Sequence, residues 1–556
     1  MKILLFLVIG FTFSVWSLVD TKSGNYKKTF VDFDLTGAVF PLTLERTYNS
    51  RSLYRGLFGM GWCSNMETRV SVLPDNSIQL TECGGGQEIL FLAPNARQDV
   101  SVQIEQIIRS VKKQNKKLSG SYYAQLKQKL TRSHILRNEF LKAYKVSGQV
   151  SPGVMYFAEG RSNDSLVFNK KGWFKRTLSN GVQQFFAGKS GRLIQISDKA
   201  GNYIKIVWKQ NQPQYIVDNK GRRLVFNYKQ GQVASIRGMG KVLASYEIKD
   251  ENLVRVVNHQ DGEYRHTYDD LHNLTRTVYP GGTRKDPVME NLTYNKKKDW
   301  VTSFENQRKC IETYKYETNP KNPNHYWTDV EKKCGKVVTN VSRYEFWNKK
   351  GSDGGMYLHR ARQKVNGDVR DVTYHPKFRR VSNLTQNGIR TQYKYYRAGA
   401  FKGLLREKVN RNQKTSFAKY HTKCLKPLSV GTQIFSNKKL LNQETVKIQY
   451  NPSTCLMSRV SRSDGRWVSL SHDEKGRIDE MKDQSGKIIL VSYDDRVNKP
   501  QKITQKGVGS IEIEYDSKGK SKGWKNSNDP VIMSQVMSMF NGLMEIINPV
   551  AQEMNI

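Results

Sequence analysis

The 556-residue chain contains no Cys-x-x-Cys pair, no His-Glu-x-x-His and no Gly-x-Ser-x-Gly. Those absences exclude a zinc ribbon, a zinc hydrolase of that motif class and the serine elbow of α/β-hydrolases. Gly188-Lys189-Ser190 lacks a glycine at position 183 and leads into a strand pattern, so it is not a phosphate loop. His259, His266 and His272 lie near Asp261, Asp269 and Asp270. Strand alternation scatters them over two faces, so no metal site is expected. The neighbours Asp269-Asp270 and Asp494-Asp495 point apart for the same reason and do not suit paired-carboxylate catalysis. No zinc finger, RNP-type aromatic strand or basic zipper marks a nucleic-acid module. The expectation is a non-enzyme without a cofactor.

Acidic residues are also scarce. Fifty Asp and Glu face 91 Lys and Arg, a net charge of +41. A field of this sign attracts anionic glycans, cell-envelope polymers or an acidic protein partner. The excess is spread along the chain, so an ordinary solvated surface accounts for it equally well.

Long apolar runs are confined to the start. Ile3 to Trp16 is interrupted only by Gly10, Thr12 and Ser14, with Lys2 before it and the small Ser17 after it. This is the layout of a secretory signal peptide, and the run is shorter than the roughly 20 residues needed to span a bilayer. Cleavage after Ser17 is expected. The mature chain is then expected to have no transmembrane segment and to be secreted, periplasmic or at the cell surface. The six cysteines form three sequence-local pairs: Cys63 with Cys83, Cys310 with Cys334, and Cys424 with Cys455. Sequence alone allows 15 connectivities for six cysteines. Turn signals at Leu73–Ser77, Asn319–Asn324 and Asn437–Lys439 fall near the midpoint of each pair, favouring cross-hairpin disulfides.

Hydrophobic residues make up 37%, while Tyr (28) and Phe (22) are plentiful, which favours many half-buried strands over large helical cores. Strands are expected at 29–35, 40–48, 68–73 and 77–81. From Gln98 to Lys145 the period becomes helical: Val100, Ile104, Ile107, Ile108 and Val111 form one stripe. Tyr123, Leu126, Leu130, Leu136 and Phe140 form a second, with Ser119-Gly120 as the turn. This predicts a basic two-helix hairpin. Its Lys112, Lys113, Lys116 and Lys117 are either a polyanion contact or a solvated face.

From Val154 to Lys522 the texture is strand, turn, strand. Gly191–Asp198, Gly201–Trp208, Gly221–Tyr228, Gly486–Asp494 and Gly509–Asp516 each open with a glycine and alternate Ile, Val or Tyr. Glycine accepts the positive φ of the turn, and each alternating strand supplies one apolar face. Repetition near 20 residues implies that units bury those faces against neighbours, giving a solenoid-like sheet.

These units resemble the YD repeats of Rhs-type proteins. Phe30–Gly37, Leu44–Ser50 and Gly56–Trp62 resemble the N-terminal region that precedes such repeats. The resemblance implies a mainly β fold: a YD-repeat β-spiral or partial barrel, shell-like, with the basic helical hairpin inserted. Its segments would be a signal at 1–17, an Rhs-type β-region at 18–96, the insertion at 97–150, the repeats at 151–527 and a helical tail at 528–556. In family members the shell often encloses a C-terminal toxin, and related proteins act in adhesion. Here the Asp-Pro-x-Gly-Leu ending is missing, and only about 27 residues follow Asp529, so no toxin domain is expected.

The tail is expected to be an apolar helix. Asp529 suits its N-cap, Pro530 its first turn, and Pro549 its end. Val536, Phe540, Leu543 and Ile547 lie on its apolar side. Such a surface either plugs the β-shell or docks on a partner.

Overall fold

The computed structural model describes residues 19–35, 42–73, 76–82, 87–92, 100–115, 118–132, 134–144, 148–158, 164–178, 182–198, 202–259, 262–283, 285–351, 356–399, 401–422, 424, 426–452, 454–473, 476–494, 499–515, 521–525 and 530–554. Thirty-six described strands, from Arg69–Val72 to Ser521–Lys525, form one antiparallel ladder in which sequence neighbours are neighbours in space. The ladder curls. Its first strand is bonded to the start of the strand seven places further on, through Val70 N–H to Gly191 O (2.8 Å) and Leu193 N–H to Thr68 O (3.2 Å). The β-spiral expected from the repeats is therefore present.

Two recurring devices explain why the repeat sequence makes this ladder. An aromatic near the end of a strand reaches back to a carbonyl fifteen residues earlier, at the start of the preceding strand. Tyr228, Tyr268, Tyr316, Tyr420, Tyr493 and Tyr515 donate to the carbonyls of Pro213, Leu253, Val301, Leu405, Ile478 and Pro500 at 2.6–2.8 Å. Trp208 does the same to Leu193 through Nε1 at 2.9 Å. Several of these aromatics sit at register shifts, where the bulge turns the ring toward the earlier strand. Each bond contributes about 1 kcal/mol, and each strand is tied to its neighbour beyond the regular ladder. The second device is the Asp-x-x-Gly-Arg turn. Asp218 Oδ1 accepts from the amides of Lys220 and Arg222, and its Oδ2 accepts from Arg222 Nε at 2.7 Å. Asp473 and Arg477 repeat the arrangement, and Gly221 (φ +82°) and Gly476 (φ +73°) occupy the left-handed position.

The helical insertion departs from the ladder without breaking it. Strand Gln87–Leu92 pairs directly with strand Met155–Ala158, so the ends of the insertion meet on adjacent strands. Between them lie α1 (Val100–Gln114), α2 (Gly120–Arg132) and α3 (His134–Ala143). The expected two-helix hairpin is thus corrected to three helices. Arg137, buried at the start of α3, donates through Nη1 to the carbonyls of Leu130 and Thr131. It satisfies the end of α2 and lets the chain turn there. Ile104, Ile107, Ile108, Val111, Leu126, Leu130 and Leu141 form a core separate from that of the ladder.

The ladder does not bury its apolar face only against itself, as the solenoid reading expected. A small sheet of Val19–Asp20, Asn25–Leu35, Leu42–Asn49 and Trp62–Ser64 packs on one stretch and shares its core. A C-terminal helix, α4 (Pro530–Met554), packs on another. The expected helix end at Pro549 is corrected too, because α4 runs on to Met554. Proline has no N–H for the carbonyl four residues earlier, that of Glu545. That carbonyl instead accepts from Arg462 Nη1 at 3.1 Å. The first 18 residues of α4, Pro530–Ile547, are long and apolar enough to cross a membrane by length and composition, with 22% of them buried. This corrects the expectation that no second stretch of the chain reaches that length.

Candidate functional site

One face of the ladder carries both packed segments, and strand register proves that it is a single face. Directly paired residues share a face, and pairing runs Thr328, Tyr344, Gln363, Arg370, Gln386, Ile389. Tyr393, two and four residues from Thr391 and Ile389 on the same strand, pairs with Lys408. Lys408 in turn pairs with the buried Thr415. This face is the candidate site, and it divides into three stretches.

The first stretch is occupied by the N-terminal sheet. Arg46 and Asp32, both fully buried, form an ion pair at 2.7 Å, and Tyr246 from the ladder donates to Asp32 Oδ2 at 2.7 Å. Arg46 Nη1 and Nη2 have no hydrogen-bond partner among the described residues. Its guanidinium lies 4.9 Å from the Phe30 ring centroid and 4.8 Å from that of Trp62, which compensates by cation–π attraction. Lys28 pairs with Glu290 at 2.7 Å, and Tyr279 donates to the same carboxylate at 2.7 Å. Trp62 Nε1 donates to Tyr268 Oη, which donates onward to the Leu253 carbonyl. Tyr48 Oη accepts from Leu274 N–H at 2.9 Å. Gly59 (φ +101°) admits the ladder backbone, for a Cβ there would stand 2.4 Å from the Glu251 carbonyl oxygen. His266 lies among these rings, with Nδ1 3.0 Å from Thr277 Oγ1. Burial, then the charges of Arg46 and Lys28, hold its imidazole well below the usual histidine range, so it is neutral.

The second stretch is covered by α4. Val536, Leu543, Ile546 and Ile547 are buried against a cluster that includes Val460, Val468, Ile503 and Ile511. Gly509 makes the approach feasible, since a Cβ there would stand 2.5 Å from Ile532 Cγ2. Phe540 is half-buried on the same helix.

The third stretch lies between the other two and nothing described covers it. Among the described residues from Trp347 to Lys394, none is buried. Its face continues, strand by strand, from the half-buried Tyr326 and the buried Phe346 through Ala361, Val372, Leu384 and Thr391, all half-buried. The opposite face is different in kind. There Trp347 stacks on His325 at 4.5 Å, Arg360 lies 4.7 Å from its ring, and Arg343–Asp329, Arg362–Asp371 and Lys394–Glu407 form ion pairs.

The sequence-expected residues fall as follows. Cys310 and Cys334 are bonded, directly opposite in register with Cα atoms 4.2 Å apart. Cys424 and Cys455 are bonded in the loops at the base of hairpin Pro427–Ser436/Lys439–Tyr450, outside its paired register. Cys63 is disulfide-bonded. Cys83, expected to be its partner, lies outside the described residues, as do Lys116, Lys117 and the helix-capping Asp529. Lys112 and Lys113 are exposed on α1, and the Lys112 ammonium rests 5.1 Å from the Tyr123 ring centroid. His272 bonds Asn252, and Asp269 accepts from the amides of Leu271 and Asn273, so these groups serve the turns. Among the described residues no group of three His, Cys, Asp or Glu could hold a metal ion. Two adjoining polar clefts, about 560 Å³ and about 340 Å³, open beside the N-terminal sheet and share Tyr54 and Arg69. Sequence reasoning missed the row from Tyr326 to Thr391, because its members are spaced along six strands and align only through register.

Residues 17–91 match the family model of DUF6531, a domain of unknown function. No curated protein matches the sequence. Solved structures that resemble the chain include TcdB2-TccC3-Cdc42, at 10% identity and TM-score 0.38, covering 66% of this chain and 22% of that one. TcdB2-TccC3 without its hypervariable C-terminal region gives 8% identity and TM-score 0.38, covering 89% and 30%. The Tc holotoxin pore of Photorhabdus luminescens, with TccC3 D651A, gives 9% identity and TM-score 0.22, covering 81% and 28%. The chain thus spans less than a third of each of these structures, and at such scores the likeness carries no argument about activity. The 17–91 match coincides with the segment that resembles an Rhs-type N-terminal region.

Proposed function

We propose that this chain is an exported, non-catalytic Rhs-like binding protein whose curled sheet serves as a shell. Its strong positive charge suits contact with anionic glycans or other cell-envelope polymers. The carrier form of this reading, in which the shell holds a separately encoded effector polypeptide, is favoured by one observation. The face that takes up the chain's own N-terminal sheet and C-terminal helix carries, between them, half-buried Ala361, Val372 and Leu384 on which no described segment packs. An apolar face of this kind on an otherwise charged chain marks an interaction surface. The buried carboxylates of the first stretch are occupied in ion pairs and in bonds from tyrosines, which suits a scaffold.

The test is to isolate the chain from cells that make it and to record its native mass before and after proteinase treatment. A carrier shell co-purifies with a second polypeptide in fixed ratio that resists the proteinase until the chain is unfolded. A native mass equal to the chain alone, in both the cell-associated and exported fractions, contradicts the carrier form.

A further inference from the structure

The point where the ladder closes on itself brings two arginines together. Arg69, on the ladder's first strand, stands directly opposite Arg192 in an antiparallel bridge. The bonds from Val70 N–H to Gly191 O and from Leu193 N–H to Thr68 O flank that bridge, so the arginines form a non-hydrogen-bonded pair. In such a pair the Cα atoms stand about 4.5 Å apart and the side chains share one face. Like charges placed directly opposite each other destabilise a sheet.

No carboxylate offsets that repulsion, for neither arginine has an ion-pair partner among the described residues. Arg192 gives Nη1 to the Gln210 carbonyl and Nη2 to Asn211 Oδ1, both neutral acceptors, which leaves its charge unanswered. Its guanidinium lies 5.3 Å from the Trp208 ring centroid, and that of Arg69 lies 5.2 Å from the Tyr54 ring centroid. Both arginines and both rings line the cleft of about 340 Å³. Arg55, a further cation of that cleft, is paired with Glu251 at 2.6 Å. Two carboxylates also line the clefts. Glu67 accepts from the amides of Leu57 and Ser64 and from the Tyr54 hydroxyl. Glu88 stands two strands from Arg69, in register with it through Thr81.

We infer that Arg69 and Arg192 are the two arms of a binding site for a phosphate group, free or carried on a sugar or a lipid. Two guanidiniums carry two positive charges, which match the roughly −1.5 to −2 of a phosphate monoester near pH 7. A tetrahedral oxyanion presents oxygens to both arginines at once, whereas a planar carboxylate is satisfied by the fork of one. The rings of Tyr54 and Trp208 hold the guanidiniums at the cleft by cation–π attraction. A phosphate bound here also ties the ladder's first strand to the strand it meets. The inference rests on the envelope-contact reading above and names the place and the group recognised; it is independent of the carrier form.

The experiment titrates the full chain with inorganic phosphate by calorimetry at fixed ionic strength, with acetate and chloride as comparisons. Phosphate binds at one site, and both comparisons bind at least about tenfold more weakly. Arg69→Gln and Arg192→Gln each weaken phosphate at least about tenfold, while Lys112→Gln with Lys113→Gln on α1 leaves it unchanged. In phosphate-free buffer the urea midpoint of Arg69→Gln is no lower than the parent's, because a like charge is removed. Phosphate raises the parent's midpoint more than the variant's. Equal binding of phosphate and acetate, binding indifferent to both arginine variants, or equal weakening by the lysine variant overturns the site and assigns the anion to the diffuse field of the chain. Unfolding of both arginine variants in phosphate-free buffer overturns it too, since the arginines then serve the fold. Competition by a hexose phosphate assigns the group to a glycan, competition by vesicles containing phosphatidic acid assigns it to a lipid, and competition by neither leaves the free ion as the ligand. If both arginine variants bind envelope polymers as the parent does, the envelope reading stands and the site falls. If phosphate binds through both arginines and envelope polymers do not bind, the site stands and that reading falls.

Discussion

Arg462 donates through Nη1 to the backbone carbonyl of Glu545 at 3.1 Å, and Glu545 stands four residues before Pro549. The carbonyl that the proline deprives of a helical donor is thus satisfied from the sheet. The same guanidinium pairs with Glu444. Replacing Pro549 with Ala restores the helical N–H and removes a helix-interior proline, a gain of up to roughly 3 kcal/mol in the last turn. Arg462→Met costs about 1 kcal/mol or more in the natural background, and less in the Pro549→Ala background. A double-mutant cycle on urea unfolding, with hydrogen exchange of α4 amides, reads the coupling. Strict additivity would show that the carbonyl does not need the arginine.

His266 predicts a pH limb. Its imidazole is buried and held below the usual range, so the folded state binds fewer protons than the unfolded one. The contribution is therefore present above the unfolded value of about 6.5 and is lost as pH falls below it, with a slope near 1.4 kcal/mol per pH unit. His266→Asn flattens that part of the stability curve. A limb unchanged by the substitution would assign it to other groups.

Tyr268 links the N-terminal sheet to the ladder, accepting from Trp62 and donating to Leu253. Tyr268→Phe removes both bonds without altering the ring, at an expected cost of about 1–3 kcal/mol because Trp62 Nε1 is left without its acceptor. The equivalent change at Tyr515, whose oxygen makes one such bond to Pro500 and holds no N-terminal group, costs about 1 kcal/mol or less. Urea midpoints of the two variants, compared directly, check the order.

Gly509→Val tests the seat of α4. A side chain there collides with Ile532, 2.5 Å away at Cγ2, so the start of the helix lifts from the sheet. Faster proteolysis near residue 530, with the ladder's disulfides still intact, is the expected result. An unchanged digestion pattern would show that the helix adapts.

The sequence was most informative where structure is local. Glycine-led alternating units became strands because a turn and a two-residue period need no distant partner. Cys310 and Cys334 were legible because a single hairpin turn places them opposite each other. The third helix was not, since its break depends on Arg137 reaching the last carbonyls of α2. The run of α4 past Pro549 needed a donor 83 residues away in the chain, and the seating of the N-terminal sheet rests on bonds such as Leu274 N–H to Tyr48 Oη across 226 residues. Those contacts depend on how the ladder curls, which no local pattern encodes. The row from Tyr326 to Thr391 failed to register for a related reason: Val372 and Leu384 lie on different strands, and their neighbours in sequence are polar.

The most direct test places a photo-crosslinking residue at Leu384, on the row's face, or at Thr385, its neighbour on the opposite face, in the chain made by its own cells. The account predicts a crosslinked polypeptide from position 384 and none from 385. No adduct at 384, or equal adducts at both, would contradict a shell that holds its partner on this face.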